Sequence, residues 1–180
     1  MFRTILAMSM AVLCLVAMAA HTEEENPFKK AKVGDWVEYT SKSEFSGQKS
    51  ETEMKEVVTK KTETEVTYEM KIKAGGMDMP AQPVTIKLDQ KYDPTHAQKG
   101  ATVKEVSKGE ETLTVGGKSV STKWVELETT MKMGDKDIVS KSKVWTAPDA
   151  VPLGGMVKME NDMGGVGKTT MELKDFGNSK

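Results

Sequence analysis

The feature that most constrains this chain is a hydrophobic period of two. Val37, Tyr39 and Ser41 alternate with Glu38, Thr40 and Lys42. The same step separates Val66, Tyr68, Met70 and Ile72 from Glu65, Thr67, Glu69 and Lys71. It recurs at Val84, Ile86 and Leu88, at Val125, Leu127, Thr129, Met131 and Met133, and at Met171 and Leu173. Successive side chains on a strand point to opposite faces. The pattern therefore predicts antiparallel strands with one apolar face and one wet face of Lys, Glu and Thr. No segment carries a capped helical stripe beyond a short one at 26–31.

The separators agree with this reading. Ser46-Gly47, Ala74-Gly75-Gly76, Gly116-Gly117, Gly134-Asp135 and Gly164-Gly165 all carry turn chemistry. They predict nine or ten strands at hairpin spacing, with 89–100 the longest connection and a turn at Asp93-Pro94-Thr95-His96. A long sheet with one apolar face must bury that face, and few helices are at hand to cover it. The expected fold is all-β: a single antiparallel, strongly twisted sheet forming a half-barrel or barrel. The half-barrel of envelope lipoprotein carriers is the first comparison, and a two-sheet β-sandwich is the alternative.

The most distinctive segment is Lys141 to Glu160. Val144, Trp145 and Thr146 favour a strand, Pro148 ends it, and Gly154-Gly155 turns the chain back to Met156 and Val157. It reads as a covered sheet edge with a buried Trp, or as a rim loop at the mouth of a cavity. Trp145-Thr146-Ala147-Pro148 with Val151-Pro152-Leu153-Gly154-Gly155-Met156-Val157-Lys158 resembles a C-terminal signature of exported bacterial β-proteins. Asn26-Pro27-Phe28 and Val33-Gly34-Asp35-Trp36-Val37-Glu38-Tyr39 resemble small secreted proteins of planctomycete bacteria. The resemblance implies an exported antiparallel β domain and carries no catalytic residues with it.

Residues 1–20 read as a signal peptide: Arg3 in the charged region, an apolar run from Ile5 to Val16, then Ala17-Met18-Ala19 as a cleavage pattern. Leu13 rather than a small residue precedes Cys14, which disfavours lipidation there. Residues 21–32 form a polar leader, 33–177 a single β domain and 178–180 a tail. The expected location is periplasmic or extracellular, with no transmembrane segment once the signal is removed. Cys14 is the only cysteine, so the mature domain must stand on its core, without disulfides or thiolate metal sites.

Lys and Arg number 26 against 27 Asp and Glu, and Arg3 is the sole arginine. A lysine-only mature surface without net positive charge argues against nucleic acid. Gly164-Gly165-Val166-Gly167-Lys168-Thr169-Thr170 spells part of a phosphate-binding loop. A helix N-terminus should stand behind such a loop, yet Met171 to Lys174 alternate as a strand, so a glycine-rich turn is expected and no nucleotide. Asp89, Asp93 and His96 form a thin metal-ligand set, and no metal or other cofactor is expected. No nucleophile elbow occurs, and the acids fall mostly on the polar register, so no catalytic residues are assigned and the chain reads as non-enzymatic.

What remains is the apolar register and its methionines, which suit surfaces that accept varied apolar shapes. The interior candidates are Tyr39, Tyr68, Met70, Leu127, Met131, Trp145 and Met159. The expected function is binding of a lipid or other hydrophobic small molecule, with a filled-core structural or interaction module of the cell envelope as the alternative. A carrier would show a continuous apolar cavity of several hundred Å³.

Overall fold

The structure, a computed structural model, describes residues 26–90, 101–133 and 136–178, without the side chains at 132, 133 and 136. The signal segment, residues 21–25 of the polar leader, the Asp93–His96 turn and the Gly134-Asp135 turn lie outside the described residues.

Among the described residues ten strands follow one short 3-10 helix, Pro27–Lys30. They are β1 (Asp35–Phe45), β2 (Gln48–Lys61), β3 (Glu65–Ala74), β4 (Met77–Asp78), β5 (Gln82–Lys87), β6 (Thr102–Val115), β7 (Lys118–Met133), β8 (Lys136–Thr146), β9 (Met156–Asp162) and β10 (Gly167–Asn178). All pair antiparallel in one sheet of order β4-β3-β2-β1-β10-β9-β8-β7-β6, with β5 also on β3. β5 takes Glu65 to Met70 and β4 takes Lys73 and Ala74, so the two share one edge. β6 is the other edge, and the two edges do not meet. The sheet is an open, twisted half-barrel; neither a closed barrel nor a two-sheet sandwich forms.

Turn chemistry sets the hairpins. Ser46 and Gly47 have φ of 49° and 79°, and Gly116 and Gly117 have 54° and 78°. Two consecutive positive φ values match the twist of the flanking strands, which is why such pairs close two-residue hairpins.

The core is the alternation made solid. Val37 and Tyr39 on β1, Met171 and Leu173 on β10, Val157 and Met159 on β9, Val144 on β8 and Leu127 on β7 are all buried. Register places them on one face, through pairs such as Met171↔Met159 and Val144↔Met159. The Pro27–Lys30 helix sets Phe28 against Tyr68, with parallel rings 6.3 Å apart. Asn26 caps it, its side chain accepting from Phe28 N and donating to Lys87 O.

Two expectations need correction. The Trp145–Met156 segment is a hairpin, but β8 and β9 lie inside the sheet, with β7 and β10 outside them. And the wet and apolar faces do not stay constant along β7. Val120 and Thr122 are buried in its first part, Leu127 and Thr129 in its second, so the buried parity switches. The cause is length. The β6–β7 ribbon runs past the last β8 pair, Lys123↔Thr146, and reaches β10, where Lys118 Nζ lies 4.9 Å from the Phe176 ring centre.

Candidate functional site

The concave face is the candidate site. It gathers Tyr39, Tyr68, Met70, Leu127, Met131 and Met159 from the sequence-derived candidates. Register runs Tyr39↔Met54↔Ile72 to one side and Met159↔Val144↔Val125 to the other. Tyr39, Leu127 and Met159 are buried in its floor, and the Tyr39 hydroxyl donates to Met156 O at 3.0 Å. Tyr68, Met70 and Met131 are half-buried, as are Met54, Ile72, Ile86 and Ile138.

Trp145 is buried but does not belong to this face. It alternates with Val144 and pairs with Trp124 on the opposite, convex side. There Lys143 Nζ sits 3.9 Å from the Trp124 ring centre and 4.9 Å from that of Trp145, and Lys158 Nζ lies 5.2 Å from Trp145. The Trp145 indole N–H donates to the Glu111 carboxylate. Lys158 also binds Glu160 at 2.9 Å and Glu172 at 3.3 Å, and the Glu160 hydrogen bond leads in raising its pKa. Lys55 lies 2.6 Å from Glu38 and over Trp36. The convex side is thus an ordered belt of lysines held between indoles and carboxylates, not loose surface charge.

Two features of the concave face were not singled out from sequence. The first is Glu56, which is half-buried. It pairs with Val37 on β1 and Met70 on β3, and Met54 and Val58 flank it on its own strand. No hydrogen bond or ion pair reaches its carboxylate from the described residues, and burial among apolar groups lifts its pKa to about 7. The signal was present: Glu56 stands two steps from both Met54 and Val58, in the apolar register.

The second is a polar row across the same face. Register aligns Ser50, Ser43, Thr169, Asn161 and Ser142 on five successive strands, ending at Leu127 on β7. Ser43 and Thr169 hydroxyls are 3.1 Å apart, and Ser142 Oγ donates to Asn161 Oδ1 at 3.3 Å. Beside the row, Thr129 is 4% exposed and its buried hydroxyl has no partner among the described residues. Only inter-strand register, invisible in a linear sequence, assembles this row. Thr129→Val should stabilise the protein by about 1 kcal/mol, because it removes an unsatisfied buried hydroxyl at nearly constant shape. Urea unfolding measures the change, and a loss of stability would mean that the hydroxyl is paired.

Two open grooves accompany these faces. One, of about 390 Å³, lies against β1–β3 and the 78–81 segment, and is lined mainly by charged residues including Glu38, Glu53, Lys71 and Lys73. The other, of about 400 Å³, is lined by Val139, Lys141, Asp162, Gly164 and Gly165. Neither is the continuous apolar cavity expected of a carrier. The Gly164-Gly165 segment is a turn that runs into β10, so a strand stands where phosphate chemistry would need a helix. Among the described residues no cluster of three metal-ligating side chains occurs, and no helix is long and apolar enough to cross a membrane.

Fold and face together define an open antiparallel half-barrel with an apolar trough, and solved structures share the fold. A Bacteroides fragilis protein described as exported, with a YmcC-like fold, matches with a TM-score of 0.53 at 9% identity, covering 82% of this chain and 97% of that one. A Parabacteroides distasonis protein described as a lipoprotein matches with a TM-score of 0.50 at 10% identity, covering 81% and 96% respectively. At these identities the likeness is one of fold. No protein-family model and no curated protein matches the chain.

Proposed function

We propose that this is an exported, non-enzymatic protein that binds a hydrophobic or amphipathic small molecule along its concave face. The observation that carries the reading is incomplete closure. The sheet stops short of a barrel and leaves Met54, Tyr68, Met70, Ile72, Ile86 and Met131 half-exposed on the face that elsewhere forms the core. Flexible, polarizable methionines at the open positions suit a ligand of variable shape. The signal-like first 20 residues, and the exported protein and the lipoprotein that share the fold, support a place outside the cytoplasm.

Titration of the purified protein with N-phenyl-1-naphthylamine, a neutral apolar fluorophore, tests the reading. Saturable fluorescence enhancement with an unchanged near-ultraviolet circular dichroism signal is expected. Absence of saturation would instead favour a structural module whose core is already filled.

A further inference from the structure

We propose that Glu56 is the polar anchor of the concave face, and that the ligand held there is an amphiphile with a protonated amine at its polar end. The inference rests on the binding reading above and adds the chemistry of the headgroup.

Apolar side chains surround the Glu56 carboxylate. Its cross-strand neighbours are Val37 and Met70, its same-strand neighbours Met54 and Val58, and Phe176 lies one strand further, opposite Val37. None can donate a hydrogen bond from its side chain. An unpaired carboxylate among apolar groups is costly, and a hydrocarbon side chain of similar size would fold at least as well there.

Nor do the described residues provide a counter-charge. Lys61, paired with buried Val66, and Lys118, over the Phe176 ring, are both engaged elsewhere. Lys61 Nζ donates to the Ala31 carbonyl at 2.7 Å and also to that of Lys29. Lys118 sits 4.0 Å from Asp175 and over the Phe176 ring. The lysines of the convex belt are on the other side of the sheet. Desolvation accounts for the raised pKa of Glu56, and no cation among the described residues offsets it.

A face with an apolar floor and one uncompensated carboxyl is complementary to a molecule with the inverse pattern. The ammonium end would meet Glu56. The hydrocarbon part would lie over Tyr39, Met54, Met70 and Ile72. Val37 and Ser43 are six steps apart on β1, so roughly 20 Å of mostly apolar face lies between Glu56 and the polar row, leaving length for a tail.

Competition against bound N-phenyl-1-naphthylamine at pH 8 tests this, with dodecylammonium, dodecanol and dodecanoate as the probes. Wild type should bind dodecylammonium about tenfold or more tightly than dodecanol, the increment of one charge-assisted hydrogen bond, and dodecanoate worst. Glu56→Gln keeps the shape and should bring the ammonium and the alcohol to within about twofold while the fluorophore still binds. Glu56→Met, matched to the apolar neighbours, serves as the second variant and should behave alike. If the fluorophore binds but wild type shows no ammonium preference, or Glu56→Gln keeps it, the anchor is wrong and the binding reading survives. If no variant binds the fluorophore saturably, both fall together.

Discussion

Glu56→Met should stabilise the protein at pH 8 by about 2–3 kcal/mol, and by much less at pH 4. The carboxyl pKa rises from 4.5 to about 7 on folding because burial disfavours the charged form. A raised acid pKa means that the folded state binds the proton more tightly than the unfolded state. The ionised form therefore costs stability. That cost is absent below about pH 4.5, grows through the interval, and is complete above about pH 7. Each tenfold gain in proton affinity on folding is worth about 1.36 kcal/mol, and partial access of the carboxylate to water trims the total. Methionine removes the titration and adds apolar contact beside Met54 and Met70. Chemical denaturation of both proteins at several pH values gives the difference curve. A difference that stays constant from pH 4 to pH 8 would show that Glu56 is solvated and that its surroundings leave its proton affinity unchanged. A protein that carries such a penalty at neutral pH has a reason outside its own stability, and the anchor role supplies one.

The second large effect is expected at Gly155. Its φ is +77°, and a Cβ added there would fall 2.4 Å from Pro148 Cα and 2.6 Å from Pro148 N. Those are backbone atoms of a ring-locked residue and cannot turn aside. Ala147 N also donates to Gly155 O at 2.7 Å, which ties the two ends of the β8–β9 connection together. Gly155→Ala should therefore cost about 2–4 kcal/mol, from left-handed strain plus displacement of the loop that seats Val151 and Leu153 in the core. Gly117→Ala is the control: its φ is +78°, and nothing lies within 4 Å of the added Cβ, so only the backbone strain remains. Thermal melts of the two variants separate the contributions. Equal losses would show that the Pro148 contact yields freely.

These two residues also mark how far the sequence could be read. The period of two identified β1, β3, β5, β7 and β10, and the turn residues gave nine or ten strands in all, because alternation and turns are imposed locally by strand geometry. It assigned Tyr39, Leu127, Met131 and Met159 to one face. It gave a buried Trp145 but not its side of the sheet, because in Val144-Trp145-Thr146 every residue is apolar or strand-favouring and hydrophobicity alone does not give the phase. The register through Val144↔Met159 and Trp145↔Lys158 gives it. Glu56 was legible by parity but hidden by the general rule that acids face water. The polar row from Ser50 to Ser142 was not legible, since its members come from β2, β1, β10, β9 and β8 and meet only through pairing. The parity switch on β7 was equally out of reach. It depends on the β6–β7 ribbon outrunning β8, and so on where a neighbouring strand stops.

The adjacency of β1 and β10 in mid-sheet has a consequence for how the trough comes into being. β1 through β5 and β6 through β9 are two stacks of local pairings, each able to zip by itself. The strand that welds them is the last of the ten, and it must find a partner more than a hundred residues upstream. Such distant closure is slow compared with hairpin formation. Until the weld is made, the apolar flanks of both stacks stand open to water, and half of each would-be ligand contact is missing. Capacity to hold a guest and resistance to unfolding would therefore arrive in the same late step.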